Sequence, residues 1–484
     1  MNNILLMYPP GALYQRGEDR CQGNIEDSAA TSMRACNDLG YAAAVLLPEG
    51  YHIKLRDYQT ERADEETLYQ DIADFKPDMI MLSVTNATIY TDIELVNRIR
   101  KVSDAIIVLK GAIFFAPERK MLDLLDFSNV DYLIGGEVDC CIDKIAAFHF
   151  KGIGNIEDIP NICYRDPEGI MQVNAFHIWE ENLDALPFPA RAYMKNELYV
   201  RPDTGKPMAT IQTARGCPAN CIYCLSPEIS GKKVRFRRPE NVLEELVECY
   251  EQFGIRDFFF KSDTFTINAD WVEMLCNLIL QSPLAGKIEF TANSRVNPLK
   301  KETMELMKKA GCFMIAFGFE SGHEESLKKM QKGATLEQNK TAMKWAREVG
   351  LPVYGFYLIG FPWEKEEHLQ ATRRLIFELD ADFIEIHIAL PYYGTKLYEL
   401  CAKEGVLEDN VYGSDYFHSA TIGTKYLTME QLLTFRKKVM MQYYLRPTYI
   451  AKKMLHSISK PYVLGNYIKY GLRMMKTFLS GGKI

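Results

Sequence analysis

No stretch of the 484 residues stays apolar long enough to cross a bilayer, although 47% of the chain is hydrophobic; a spanning helix needs about 20 such residues in a row. The opening MNNILLMYPP is too short, and too uncharged at its start, for a secretory leader. Internal repeats and low-complexity segments are also absent, so the chain reads as globular and not as a solenoid or a linker. There are twelve cysteines but only one tight cluster of them, which fits a reducing, cytoplasmic compartment better than a disulfide framework. Acidic residues are missing from positions 431–484, where eleven Lys or Arg stand, so the net charge of -7 divides into +11 for this tail and -18 for the rest. The tail is a separate basic unit.

What is present alternates. The first 150 residues set apolar runs (NILLMYPP, AAAVLLP, PDMIMLSVTN, AIIVLKGA, VDYLIGGE) between helical patterns such as DSAATSMRACNDLG. Continuous apolar strands separated by helices predict an α/β fold with a doubly wound, Rossmann-like parallel sheet over 1–155. Such sheets bind ligands beyond the carboxyl ends of their strands, here Pro9 to Ala12, Ser83 to Asn86, Lys110 to Ala112 and Gly135 to Glu137. Ser83, Thr85, Gly111, Gly135, Gly136 and Glu137 are the candidate contacts. Residues 156–202, with Pro160, Pro187 and Pro189, read as a linker. Over 203–425 a second alternation supplies six βα units, enough for a partial TIM-like barrel and too few for a closed eight-fold one. Residues 426–484 form a helical basic C-terminal region.

The cysteine cluster lies in TARGCPANCIYCLSPE, where Cys217, Cys221 and Cys224 make a C-x3-C-x2-C run. A closed tetrahedral site wants four ligands. In a four-iron cluster, three protein thiolates leave one iron with an open position, and an open position is a place for a small molecule. Zinc held by these cysteines and a distant histidine is the alternative. The remaining cysteines, among them Cys36, Cys249, Cys276, Cys312 and Cys401, sit in helical or apolar contexts and read as core thiols. Cys140 and Cys141 are adjacent and point different ways, so they too read as structural.

GCPANCIYC, followed by FKSDTFTIN, TANSRV, GFESG, GFPWE and PYYGTKLYE, resembles the radical S-adenosylmethionine (SAM) enzymes over residues 203–425, with Tyr223 in the aromatic slot before the last cysteine. The resemblance implies a [4Fe-4S] cluster on Cys217, Cys221 and Cys224, with SAM chelating the fourth iron and being cleaved to a 5′-deoxyadenosyl radical. The preceding Rossmann-like domain resembles the cobalamin-binding domain of the B12-dependent class. D-x-H-x-x-G, which supplies a histidine to cobalt in many other B12 proteins, is absent, and His52 lacks its flanks. The lower cobalt ligand is therefore undefined.

Several barrel residues are candidates beside these. In IEFTANSRV, Glu289, Thr291, Asn293 and Arg295 alternate onto one face. Arg295 is a candidate for the SAM carboxylate, with a strand-end salt bridge as the alternative. Glu320 and Ser321 resemble the family's Glu-Ser pair near SAM, and Gly360 suits close backbone approach to the nucleoside. Asp263 is a candidate ligand contact or helix cap. Glu385 and His387 share a strand face toward the cavity, for substrate binding or proton transfer, or as a hydrogen-bonded buried pair.

The expected activity is cobalamin-dependent methylation of an unactivated carbon, with a radical cyclase or rearrangement as the alternative enzyme and a corrinoid carrier with an inactive barrel as the alternative outside catalysis. Cys21, Cys36, Cys140 and Cys141 do not supply the extra ligands of a tRNA methylthiotransferase, and no nucleic-acid-binding motif stands out. The expected partners are a reductase, flavodoxin or ferredoxin as electron donor and a small-molecule substrate. In the tail, Leu464, Ile468, Leu472, Met475 and Leu479 make an apolar stripe beside Lys469, Arg473 and Lys476. That pattern fits either packing on the barrel or contact with the inner face of a membrane, and in the second case a lipid-like substrate.

Overall fold

The computed structural model describes residues 2–16, 25, 33–115, 124–407, 413, 422–458, 465, 466, 468 and 471. Two sheets carry the chain. In the first, β1 (Asn3–Tyr8), β2 (His52–Asp57), β3 (Met79–Ser83), β4 (Ile106–Lys110) and β5 (Tyr132–Ile134) run parallel in the order β2-β1-β3-β4-β5. Both faces are buried, as the uninterrupted apolar runs require. Ile4, Leu6 and Tyr8 enter one core, and Leu5 and Met7 enter the other.

The segment read as a linker adds to this sheet. β6 (Ile162–Arg165) and β7 (Met171–Val173) pair antiparallel beyond β5. Their turn is Asp-Pro-Glu-Gly: Gly169 takes φ +80° and donates its N–H to Asp166 O at 2.9 Å. Both strands are short and half-exposed, so the hydrophobic pattern carries little of this hairpin.

The second large sheet orders β8 (Met208–Gln212), β11 (Asp257–Lys261), β12 (Glu289–Ser294), β13 (Cys312–Glu320), β14 (Val353–Ile359) and β15 (Phe383–Ile388) side by side, all parallel. A two-residue ladder, β9 (Ala214–Arg215) with β10 (Arg235–Phe236), brackets the cysteine run. Alternation divides each strand. Phe258 and Phe260 point outward and pack with Phe290, whose ring stacks on Phe260 at 4.4 Å between centroids; each such burial is worth about 1.5–3 kcal/mol. Phe259 and Lys261 face inward.

At the amino end of the strands Arg201 bonds Asp257 at 2.7 Å and Glu289 at 2.5 Å, and lies over the ring of Phe313. At the β15 edge, helix Met429–Tyr444 supplies the missing partners. Tyr444 Oη accepts the Ile384 N–H at 2.8 Å and donates to Ile384 O at 2.6 Å. The basic region is thus helical and docked over 429–444. Of its apolar stripe, Leu464, Leu472, Met475 and Leu479 lie outside the described residues.

Candidate active site

The cysteine loop is fixed at both ends and in its middle. Gly216 takes φ +97°, and a Cβ there would meet Lys233 O at 2.1 Å, so only glycine lets the chain turn beside β10. Gly216 N donates to Asp263 Oδ2 at 3.1 Å, and Cys217 N donates to Gly231 O at 3.0 Å. Asp263 therefore pins the start of the loop; the next helix is capped by Asn268, which accepts from Trp271 N. Ile222 donates its N–H to Met330 O at 3.1 Å and accepts from Leu397 N at 2.8 Å.

Cys217, Cys221 and Cys224 face one cleft at the carboxyl ends of the barrel strands, together with Tyr223, Asp263, Asn293, Arg295, Glu320 and His387. Its opposite wall comes from the first domain, through Arg34, Asn86, Ala112, Ile113 and Phe115.

Polar groups stand around the thiols. Arg295 Nη1 donates to Cys221 Sγ at 3.6 Å, while its Nη2 bonds Lys332 O. Lys332 Nζ donates to Glu320 Oε1 at 2.6 Å. The other carboxylate oxygen of Glu320 is buried with no well-aligned protein donor and with the Tyr223 hydroxyl beside it, so a ligand N–H fits there. Glu320 also takes φ +61° at a bulge in β13, a conformation that costs a residue bearing a Cβ about 1 kcal/mol or more and that clusters at functional sites. Burial, then the charges of Glu320 and Cys221, push the Tyr223 phenol well up, so it stays protonated.

His387 stacks on Phe356 at 6.0 Å in the cleft. Burial, helped by the charge of Arg436, pushes its pKa down to about 3. It is neutral at working pH, which removes it as a general acid that titrates near neutrality. Glu385 does not line the cleft. It accepts the Tyr354 hydroxyl at 2.9 Å, one layer deeper in the barrel.

Other expected contacts are turned elsewhere. Ser321 shares its hydroxyl with Thr372 at 3.3 Å and accepts His323 N, stabilising the strand end from behind. Gly360 takes φ +91°, and a Cβ there would press on Ile388 and Leu432, so it makes room for the C-terminal helix. Ser83 donates to Asp38 at 2.8 Å, and Thr85 pairs with Thr88. Gly111 and Gly136 pack on Val84 and Asn161, and a Cβ at Gly135 would lie 1.8 Å from Phe114 O. Glu137 is held by arginines. The cleft instead receives Asn86, Ala112, Ile113 and Phe115, one to four residues further along the same loops. Lys261 and Lys332 also line it. Lys261 was signalled by a charge ending the apolar run FFFK; Arg34 had no periodic signal at all.

Residues 211–376 match the family described as the Radical SAM superfamily. A Pyrococcus horikoshii protein described as an uncharacterized methyltransferase is 29% identical over 86% of this chain and 88% of its own length. The cytidylyl-2-hydroxyethylphosphonate methyltransferase of Streptomyces wedmorensis is 24% identical over 85% of this chain and 84% of that enzyme. Among solved structures, the radical SAM methyltransferase TsrM of Kitasatospora setae, determined with cobalamin and a [4Fe-4S] cluster, superposes with a TM-score of 0.65 at 19% identity, covering 83% of this chain and 79% of that one. The three-cysteine loop thus stands at the mouth of a six-stranded parallel sheet, within a stretch, residues 211–376, that matches a radical SAM domain.

Proposed function

We propose that this protein is a cobalamin-dependent radical SAM methyltransferase acting on an unactivated carbon. One observation carries the reading: a single cleft with three thiols on its barrel wall and the strand-end loops of a Rossmann-like sheet on the other. Cys217, Cys221 and Cys224 would hold the cluster. Glu320 would accept from the SAM amino group, with Arg295 and Asn293 beside it. Apolar Ala112, Ile113 and Phe115 would back the corrin. Bound there, cluster, SAM and corrin would supply a radical and a methyl group. The chain's own part is to orient them and keep the cleft dry through Phe259, Phe356 and the N-terminal wall.

The cluster requires an electron donor, and a small reductase, flavodoxin or ferredoxin fits the need. The substrate we favour is hydrophobic or lipid-like, reached at the inner face of a membrane. Helix Pro447–Ile458 turns Lys453 onto Phe383 at 3.8 Å while leaving Ile450, Met454 and Leu455 exposed (43%, 57% and 68%), next to the basic tail. Each basic residue near an anionic surface adds about 1 kcal/mol. No helix among the described residues is long and apolar enough to cross a membrane.

The test is the absorbance spectrum of protein reconstituted with iron, sulfide and cobalamin and then desalted. Corrin and cluster bands together are expected. Full loss of the corrin with the cluster retained would contradict the cobalamin assignment.

A further inference from the structure

The ladder that brackets the cysteines contains an electrostatic conflict. Arg215 and Arg235 stand directly opposite each other across the β9–β10 pair. Both are buried, at 2% and 4% exposure, and like charges in that position repel. The compensation comes from the other domain. Glu137, in the loop after β5, sets Oε1 2.6 Å from Arg235 Nη2 and Oε2 3.0 Å from Arg215 Nη1. Asp139 binds Arg215 with both oxygens, at 2.6 and 3.1 Å. Two cations and two anions cancel in a dry site.

The placement gives the quartet its role. Arg215 lies two residues before Cys217 and Arg235 closes the far end, so all three cysteines sit in the loop whose neck the quartet holds. Glu137 directly follows Gly135 and Gly136 at a strand end of the first domain, and it also accepts Glu180 N at 3.3 Å. Glu137 and Asp139 do not line the cleft, whereas Arg215 does, so they reach a ligand only through Arg215. Ligand atoms of Glu137, Asp139 and Cys140 come within 4.8 Å of one another, but two guanidinium groups already occupy the carboxylates, and a metal ion would sit against both cations.

We infer that Glu137 and Asp139 are positioning residues: they lock the cluster-bearing loop to the corrin-side domain and so set the separation between the two cofactors. This rests on the cobalamin-dependent reading above. In Glu137→Gln the arginines face each other with one compensating charge lost, and the neck should open. In Glu137→Gln/Arg235→Gln the conflict is relieved, so a second deletion should restore what the first removed.

Two measurements on the full-length, cluster-loaded protein decide it. Hydrogen exchange at residues 214–224 and 135–141 should accelerate about tenfold or more in Glu137→Gln and return to within about threefold of wild type in the double variant. With cobalamin bound, magnetic relaxation of cob(II)alamin by the reduced cluster should weaken in Glu137→Gln and recover in the double variant, a readout that loss of stability alone does not move. Unchanged exchange and coupling in Glu137→Gln would overturn the inference, and so would a double variant no better than the single. If Glu137→Gln does not fold, Asp139→Asn, which leaves Arg215 its Glu137 partner, should show a smaller change in the same two segments; none would overturn it. Failure to bind cobalamin would sink the cobalamin reading, while the exchange comparison still decides the lock.

Discussion

Glu364 offers a test of how the loop after β14 is held. Its side chain is fully buried, and Oε2 accepts the N–H groups of Gly360 at 2.7 Å and Phe361 at 3.2 Å. Ser326 lies beside the carboxylate as a further donor. Burial raises its pKa from 4.5 to about 7, and the two N–H donors and Ser326 offset only part of that. A raised carboxyl pKa means that the folded protein binds the proton more tightly. The stability gained is complete below 4.5 and is lost as pH rises through about 7. Between pH 5.5 and 8.5 the loss is about 2 kcal/mol. Glu364→Gln keeps an acceptor for Gly360 and never ionises; any penalty for its amide is the same at both pH values and drops out of the comparison. Relative to wild type, the variant should therefore gain about 2 kcal/mol on going from pH 5.5 to 8.5. That corresponds to about 4–8 °C in the barrel's transition. Thermal unfolding of both proteins, loaded with cluster under nitrogen, measures it. A Tm difference that is the same at the two pH values would refute the reasoning.

Replacing Cys217, Cys221 and Cys224 together with Ala should abolish iron and sulfide binding, since among the described residues no other thiols share the cleft with the right spacing; iron near four per chain would contradict it. Glu320→Gln should leave iron content intact but weaken SAM binding about tenfold, read by calorimetry, because one charge-assisted hydrogen bond becomes neutral. His387→Asn should lower turnover without moving any inflection of the pH–rate profile between pH 5 and 8, since the imidazole is neutral throughout that range. Ile450→Asn/Met454→Asn should reduce pelleting with anionic liposomes, and equal, negligible pelleting of wild type and variant would end the membrane proposal.

Legibility followed how local each signal was. The strands of both sheets stand out because they are buried on both faces or alternate strictly, as LLM in β1 and DFFFK in β11 do. The β6–β7 hairpin escaped because three- and four-residue half-exposed strands carry almost no pattern. In the barrel, alternation along each strand leads to Asn293 and His387, while Glu320 follows from the resemblance to radical SAM enzymes. It overshoots at Glu385, because two inward residues on one strand lie in different layers. In the first domain the strand-end rule locates the correct edge of the sheet, yet Ser83 and Thr85 fold back onto Asp38 and Thr88, and the loop tips beyond them reach the cleft. Arg215 and Arg235 meet Glu137 from 78 and 98 residues away, a separation that no local pattern encodes.

Reductive SAM cleavage in the three-thiol cleft is tested most directly by reducing the reconstituted full-length protein with SAM present and quantifying 5′-deoxyadenosine by chromatography. Release that depends on reductant and disappears in the triple cysteine variant is the predicted result. An intact, reducible cluster that binds SAM and releases no 5′-deoxyadenosine would contradict the account and favour a corrinoid carrier with an inactive barrel.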